Sequence, residues 1–271
     1  MTQAAKQMTE PTLDSAMGTI VYEQPLNERM RTFMRMDFLY NQALYQSEIG
    51  TAASSRAAIA ALLDILAITT RGDMRSDCLK DLERHVTHLN EFQSRPGVDG
   101  SRLSSVIANL NRLRADLMNA GSNFLQPLRD SEFLNAIRLR SAIPGGTCEF
   151  DLPEYTCWLS QPAEERLAAF GQWLEILRPL CDAVAELLWL TRQNGKSRQE
   201  TAKGGMFMIS FDRDAPSQLL RIILPADRNL FPEISGGGQH RCNMRFLQWN
   251  GLGQRPAQVE DDVHFSLIVC P

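Results

Sequence analysis

Apolar residues recur at helical spacing through the first two thirds of the chain. The first such stretch runs from Pro25 to about Gln46, and its apolar positions are Leu26, Met30, Phe33, Met34, Tyr40 and Leu44. Residues three and four apart share one face of a helix, so this pattern predicts an amphipathic helix. Pro25 suits the first turn, where its missing N–H breaks no hydrogen bond.

Similar patterns predict further helices, which start near residues 54, 73, 101, 128 and 154. Asp99 or Ser101 can cap the third of these, because either side chain can accept a hydrogen bond from a free N–H of the first turn. The last pattern continues to about residue 194 and contains Pro179. A proline inside a helix removes one hydrogen bond, so we expect a kink or a break there.

The spacing changes to that of strands after Asn194. Strands are predicted over residues 205–211, 219–224, 241–247 and 263–269. The connections between them are too short for helical crossovers, which favours an antiparallel sheet. Two other segments, residues 19–24 and 147–152, also read as extended. Each is too short to form a sheet alone, so we expect both to join the C-terminal strands.

These elements predict an α+β protein with a helix-rich domain and a mostly antiparallel strand-rich domain. Neither domain is continuous in sequence. We expect the helical domain to contain residues 25–145 and 154–194, and the strand domain to contain residues 19–24, 146–153 and 199–271. Residues 1–18 are predicted to be a disordered leader.

Composition narrows the class of protein. The chain has 271 residues, of which 44% are hydrophobic, and this is ordinary for a globular protein. No apolar run approaches the ~18–20 residues that cross a bilayer, and the first twenty residues have no apolar signal region. We therefore expect a cytoplasmic protein. Its six cysteines are expected to be reduced thiols in that compartment.

The charges are unevenly divided between the two basic residue types. The net charge of −4 argues against a dedicated nucleic-acid-binding protein. The chain has twenty-four arginines and four lysines. This excess reflects either genomic base composition or the use of arginine at interfaces, where its planar group pairs with carboxylates.

None of the candidate catalytic or metal patterns is specific. The glycines at residues 236–238 could bind an anion, but a hairpin loop explains them more simply. Cys148 or Cys157 could pair with His240 or His264 as a nucleophile, although sequence gives no geometry for such a pair. The cysteines and histidines lack the spacing of a zinc site. We predict that the protein is not an enzyme and has no cofactor.

Arginine positions form the main candidate binding site. Arg31 and Arg35 lie one turn apart on the polar face of the first helix. Arg129, Arg138 and Arg140 would extend this stripe if their short helix packs beside the first. The stripe is either a solvated helix face or a site for an anionic partner. Asp37 falls in the apolar arc of the same helix, where we expect an arginine partner.

Four segments, taken in order, resemble the ZapD family. They are YEQPLNERMRT at residues 22–32, AIPGGTCEFDLP at 142–153, FPEISG at 231–236 and MRF at 244–246. The resemblance extends over roughly residues 21–270 and implies a helix-rich part and a strand-rich part. It covers Arg35 closely. Around Arg129–Arg140 the match is looser, because Glu132 and Thr156 stand where basic or imidazole side chains are expected.

The resemblance implies a cell-division adaptor that binds the C-terminal tail of FtsZ, the tubulin-like division GTPase. It implies bundling of FtsZ filaments and recruitment to the mid-cell ring. Bundling requires two tail sites, so we expect a homodimer, because two-fold symmetry duplicates any site. Two other readings stay open: a helical regulatory module that binds a nucleotide or nucleic acid through the same arginines, and a cysteine hydrolase.

Overall fold

The computed structural model describes residues 13–14, 18–92, 99–212, 217–238 and 241–271. They form two compact units. The helical unit contains residues 35–187, and the strand unit contains the described residues of 1–34 and 188–271. Most of the predicted leader, residues 1–18, lies outside the described residues. The prediction of disorder is wrong for Leu13–Asp14, whose backbone pairs with residues 19–20 as a short strand.

Eight helices are present in the described residues. They are α1 (Glu28–Ile49), α2 (Ala52–Ile68), α3 (Met74–Phe92), α4 (Gly100–Ala120), α5 (Gln126–Arg129), α6 (Glu132–Ser141), α7 (Pro153–Leu159) and α8 (Ala163–Gln193). Many of the apolar positions predicted from sequence are buried, as at Leu62, Leu110 and Leu177. Met34, Tyr40 and Leu44 of the predicted α1 stripe are only half-buried. Helix α8 continues through Pro179, so the proline does not divide it.

Side chains define where several helices begin. Thr51 and Ser54 form a capping box at the start of α2, in which each side chain bonds the other's backbone N–H. Asp99 caps α4, as the sequence predicted, and accepts hydrogen bonds from the N–H groups of Ser101 and Arg102. Ser131 caps α6 by accepting from the Leu134 N–H. These caps satisfy backbone donors that have no partner within the helix.

The strand unit contains two antiparallel sheets. Its strands are β1 (Leu13–Asp14), β2 (Thr19–Pro25), β3 (Lys196–Ala202), β4 (Met206–Ser210), β5 (Leu219–Pro225), β6 (Leu230–Gly238), β7 (Arg241–Gln248), β8 (Ala257–Gln258) and β9 (Val263–Cys270). One sheet has the order β1-β2-β5-β9-β3, and the other has β4-β7-β6 with β8 paired to β7. Side chains from both sheets share one apolar core that includes Ile222, Phe246 and Phe265.

The α+β class with a helix-rich part and a mostly antiparallel strand-rich part is therefore confirmed. The extended segment at residues 19–24 joins the C-terminal strands as predicted, since β2 pairs with β5 from Thr19 to Pro25. The sequence patterns did not predict β3 or β6. Both are edge strands, where charged residues, glycine and Pro232 are tolerated because one side of the strand needs no partner.

The prediction for residues 147–152 is wrong. This segment forms successive turns in the helical unit and joins no sheet. Its backbone groups are satisfied locally, since Cys148 N–H donates to the Gly145 carbonyl and Leu152 N–H donates to the Cys148 carbonyl. Gly145 permits this path because its φ is +74°. The segment therefore needs no strand partner, and residues 146–153 belong with the helices.

Candidate protein-binding surface

A basic and apolar surface lies at the C-terminal end of α6. Arg138, Leu139 and Arg140 occupy its last turns, and Ile143 and Phe150 follow in the turn segment. We call these five residues the α6 surface. Phe150 is 87% exposed and Leu139 is 65% exposed. Arginine beside exposed aromatic and aliphatic side chains is a composition typical of protein interfaces.

The turn segment is held against α6 by contacts at both of its ends. Gly146 lies so close to α6 that an added Cβ would be 2.3 Å from the Arg140 carbonyl oxygen. Further along, Arg140 Nη1 forms an ion pair with Asp151 Oδ1 at 3.3 Å, next to Phe150. Arg56 of α2 donates to the Thr147 carbonyl at 2.7 Å. These contacts hold the turn that carries Phe150 against α6 and α2, with Phe150 one residue before the Asp151 that pairs with Arg140.

An aromatic cluster packs α6 against α7 and α8. The Phe133 ring lies 5.9 Å from Tyr155 and Trp158 of α7 and 5.8 Å from Trp173 of α8. Such ring pairs contribute about 0.5–1.5 kcal/mol each beyond the area that they bury. Burial raises the pKa of Tyr155 to about 12, because its hydroxyl is largely removed from water. These ring contacts therefore hold α6 in place, and its last turns carry the exposed residues.

The five arginines predicted as a site differ in their surroundings. Arg129 donates to the carbonyl and hydroxyl of Thr69, at the end of α2, and its charge lies on a helix terminus. In the part of the chain that the structure describes, Arg138 donates only to the Asn135 side chain, which carries no charge. Arg31 Nε lies 3.3 Å from Glu28 in an ion pair that lacks hydrogen-bond geometry. Within the described residues, the exposed Arg35 has no hydrogen bond or ion pair.

Arg138 and Arg140 both lie exposed on α6, two residues apart, and their side chains have different partners. Every polar contact described for Arg129, Arg138 and Arg140 lies on α2, α6 or the turn segment. Arg31 pairs within its own helix. The packing of the short helix beside α1, on which a continuous stripe depends, stays a prediction.

The exposed apolar residues of the α6 surface were missed by sequence reasoning. Phe150 stands between Glu149 and Asp151 in a segment rich in turn residues. This setting could have indicated that Phe150 is exposed. A large aromatic residue between two charged residues does not fit the spacing of a buried helix stripe. The incorrect strand prediction for this segment hid it, since a strand would have turned Phe150 toward a core.

Two arginine sites that sequence reasoning missed are structural. Arg166 is 7% exposed and donates to the Ser55 hydroxyl and to the carbonyls of Gly50, Leu159 and Gln161. These acceptors lie at the ends of three elements, so one guanidinium ties them together.

In the strand unit, the side chain of Glu23 is 9% exposed and forms ion pairs with Arg192 at 2.8 Å and Arg221 at 2.9 Å. No sequence motif marks either site.

Asp37 and two of the candidate catalytic residues form other contacts. Asp37 is half-buried and accepts a hydrogen bond from Asn41 at 3.2 Å, while the arginine partner remains a prediction. The Cys148 thiol donates to the Asp151 carboxylate at 3.4 Å. His264 contacts Thr201, and His240 lies outside the described residues. Across the part of the chain that the structure describes, no cluster of three His, Cys, Asp or Glu side chains could hold a metal ion.

Comparison with known proteins gives a consistent result. A family model described as ZapD, a cell division protein, matches residues 34–245. The cell division protein ZapD of Methylococcus capsulatus is 38% identical over 252 residues, which cover 93% of this chain and 98% of the relative. ZapD of Dechloromonas aromatica is 34% identical over 251 residues, with 93% and 99% covered. ZapD of Yersinia enterocolitica is 36% identical over 253 residues, with 93% and 98% covered.

Among the helices in the described ranges, none combines the length and apolarity that crossing a bilayer requires.

Proposed function

The chain belongs to the ZapD family of cell division proteins, and from this premise we propose that it is a non-enzymatic adaptor that binds the C-terminal tail of FtsZ. Bound tails on two sites of one particle would cross-link FtsZ filaments and promote assembly of the division ring. In this proposal the protein works in the cytoplasm and is recruited to mid-cell. It needs no cofactor, because binding alone supplies the effect.

One observation carries the proposed binding site: Phe150, at 87% exposure, stands beside Arg140 on an ordered turn. A large aromatic side chain in water is costly unless a partner covers it. The neighbouring Arg138 has a guanidinium with only an amide as its partner. A peptide with carboxylates and apolar side chains would satisfy both groups at once. We therefore assign the FtsZ tail to the α6 surface.

The other predicted arginines contribute less in this proposal. Arg129 already binds the end of α2 and positions α5, so its removal would act through the fold. Arg31 shares its charge with Glu28 in an exposed pair, which is worth about 0–1 kcal/mol and leaves the side chain available. Arg35 is exposed on α1 and is not part of the α6 surface.

The test is a sedimentation assay with purified FtsZ filaments, together with calorimetry of a synthetic FtsZ tail peptide. The double variant Arg138→Glu/Arg140→Glu should bind the peptide at least tenfold more weakly, because charge reversal turns attraction into repulsion. Phe150→Ser should lose about tenfold through the apolar contact. Binding should also fall as salt rises, since exposed charges are screened over about 10 Å at 0.1 M.

Arg114→Glu is the matched control. Arg114 is a surface arginine on α4 that pairs with Glu83 at 3.5 Å, outside the α6 surface. Its reversal should leave both assays unchanged. FtsZ that lacks its C-terminal tail should not co-sediment with the protein. If the wild-type protein bundles tail-less filaments, or if the α6 variants bind the peptide like wild type, the proposed site is wrong.

A further inference from the structure

A hairpin loop in the strand unit carries the most exposed large apolar side chain of the described residues. Strands β7 and β8 pair with each other, and residues 249–256 form the loop between them. We call residues 249–256 the hairpin tip. Its Leu252 is fully exposed, and Trp249 is 51% exposed. Exposed apolar side chains that occur together are typical of a contact site, whereas single ones need no explanation.

The hairpin tip is held at its base and open at its end. The Trp249 N–H donates to the Asn229 carbonyl at 2.9 Å, and the Gln248 side chain donates to the Arg228 carbonyl at 3.1 Å. Gly251 turns the chain with a φ of +90°, in the left-handed region that favours glycine. Apart from its chain neighbours, no heavy atom lies within 4 Å of a Cβ added to Gly251. The tip therefore projects into solvent from a fixed base.

The charges around the hairpin tip favour an anionic partner. No aspartate or glutamate occurs from Ile234 to Val259, although the whole chain has 32 acidic residues and a net charge of −4. Arg255 of the tip is exposed, and so is Arg228 in the turn that is bonded to the base of the tip. Within the described residues, neither arginine side chain has a hydrogen bond or an ion pair. The same turn contains one carboxylate, Asp227, so the local excess is positive.

We propose that the hairpin tip is a peripheral contact site for an anionic lipid bilayer. Leu252 enters the boundary between the headgroups and the acyl chains. The Trp249 ring lies at headgroup level, where its apolar face and its N–H group both find partners. Arg228 and Arg255 stay in the headgroup layer and bind lipid phosphates. The contact is with one surface of the bilayer and requires no membrane-spanning segment.

A bilayer fits this tip better than other anionic partners do. A nucleic acid offers phosphates to the arginines but no apolar region to Leu252, and the net charge of −4 opposes its binding. An acidic protein would need a cavity shaped to a projecting leucine, whereas a bilayer accepts an apolar side chain of any shape. The inference does not depend on the proposed function, since bilayer binding needs no FtsZ.

The test is flotation of the purified full chain with vesicles of phosphatidylethanolamine and phosphatidylglycerol at low salt. Vesicles of phosphatidylcholine alone serve for comparison. Wild type should float with the anionic vesicles and bind the neutral ones about fivefold less, because the arginines attract anionic headgroups. Leu252→Asp and Trp249→Ser should each reduce the bound fraction about fivefold or more. Because Leu252 is fully exposed, Leu252→Asp should unfold at the wild-type temperature.

Two results of the flotation assay would overturn the inference. One is wild-type protein that does not float with anionic vesicles, and the other is Leu252→Asp that floats like wild type. A duplex-DNA shift assay tests the main competing anion. Retention of DNA that Arg255→Glu abolishes, without vesicle binding, would identify a nucleic-acid site and would equally overturn the inference.

Controls distinguish the hairpin tip from the proposed tail site. Met118→Ser removes an exposed apolar side chain on α4 and should float like wild type. Phe150→Ser should lose the FtsZ tail peptide but keep vesicle binding, and Leu252→Asp should keep the wild-type affinity for the peptide. If Leu252→Asp loses both peptide and vesicles, the tip belongs to the peptide site and the inference is wrong. Failure of the proposed function gives a different pattern, in which wild type binds vesicles but not the peptide.

A fluorescent label measures whether the tip itself enters the bilayer. Leu252→Cys carries an environment-sensitive thiol label in a background with Cys157→Ser and Cys148→Ser, because Cys157 is exposed and Cys148 is half-buried. Its emission should shift to shorter wavelength on anionic vesicles, because the label leaves water. Ala115→Cys, at an exposed position on α4, is the control and should not shift. No shift at position 252, or an equal shift at both positions, would contradict the assignment.

Discussion

Two regions of the molecule use arginine in opposite ways. Around Glu23 in the strand unit, Arg192 and Arg221 enclose one carboxylate whose side chain is 9% exposed. At the end of α6, Arg138 and Arg140 stand in solvent among exposed apolar side chains. The first arrangement satisfies its charges internally, while in the second Arg140 pairs with Asp151 and Arg138 donates to the uncharged Asn135 side chain. Burial and pairing thus separate structural arginines from binding arginines in a chain that has twenty-four of them.

Arg166 is another arginine whose donors are satisfied inside the protein, and its replacement should give the largest loss of stability. Arg166→Met keeps a long apolar stem but removes the donors for the Ser55 hydroxyl and for the carbonyls of Gly50, Leu159 and Gln161. Leaving buried acceptors without donors is costly, so we expect a loss of about 3–5 kcal/mol in the free energy of unfolding. Urea denaturation followed by circular dichroism measures it. A loss under 1 kcal/mol would mean that water replaces the guanidinium.

Glu23→Ala should give a smaller but clear loss. It leaves the Arg192 and Arg221 guanidinium groups facing each other with their carboxylate removed. Breaking a fully buried pair costs about 3–5 kcal/mol, and these arginines keep some solvent access, so about 2–3 kcal/mol is expected.

Glu23→Gln serves as the comparison, because it keeps the shape and removes the charge. Thermal unfolding should rank wild type above Glu23→Gln and Glu23→Gln above Glu23→Ala. Equal stability of all three proteins would place Glu23 with the surface residues.

Arg138→Ala should give the smallest change in stability. Its guanidinium is exposed and bonds only Asn135 on its own helix, so the free energy of unfolding should shift by about 0.5 kcal/mol or less. The same variant should weaken binding of an FtsZ tail peptide several-fold in calorimetry. A large loss of stability with unchanged binding would show that Arg138 is a structural arginine, like those around Glu23, and not a binding residue.

Much of the secondary structure could be predicted because its causes are local. The Asp99 cap, the apolar stripes of α2 and α4 and the four most apolar strands all follow from spacing and from side chains near their own backbone. The charged strand β3 could not be predicted in this way, since its strand form depends on pairing with β9, whose residues lie 61 to 73 positions further along the chain. Pairing energy of this kind does not appear in local sequence patterns.

The candidate site was predicted only in part. Sequence reasoning selected Arg138, Arg140 and Arg35, but it combined them in one stripe that depended on an assumed packing of helices. It also assigned residues 147–152 to a strand, which would have hidden Phe150. The exposure of Phe38, Tyr45 and Ile49 on α1 was equally out of reach, because an apolar residue looks the same in sequence whether or not another element covers it.

The sequence by itself determined the α+β class, most of the helices and the family to which the chain belongs, because periodicity, caps and ordered motifs are properties of neighbouring residues. The tertiary structure alone decided which charges are enclosed and which apolar residues stay in water. Arg166 and Glu23 acquire their roles from partners as far as 116 and 198 residues away. The physical reason is that burial is set by what packs over a residue, and no local pattern in the chain records that packing.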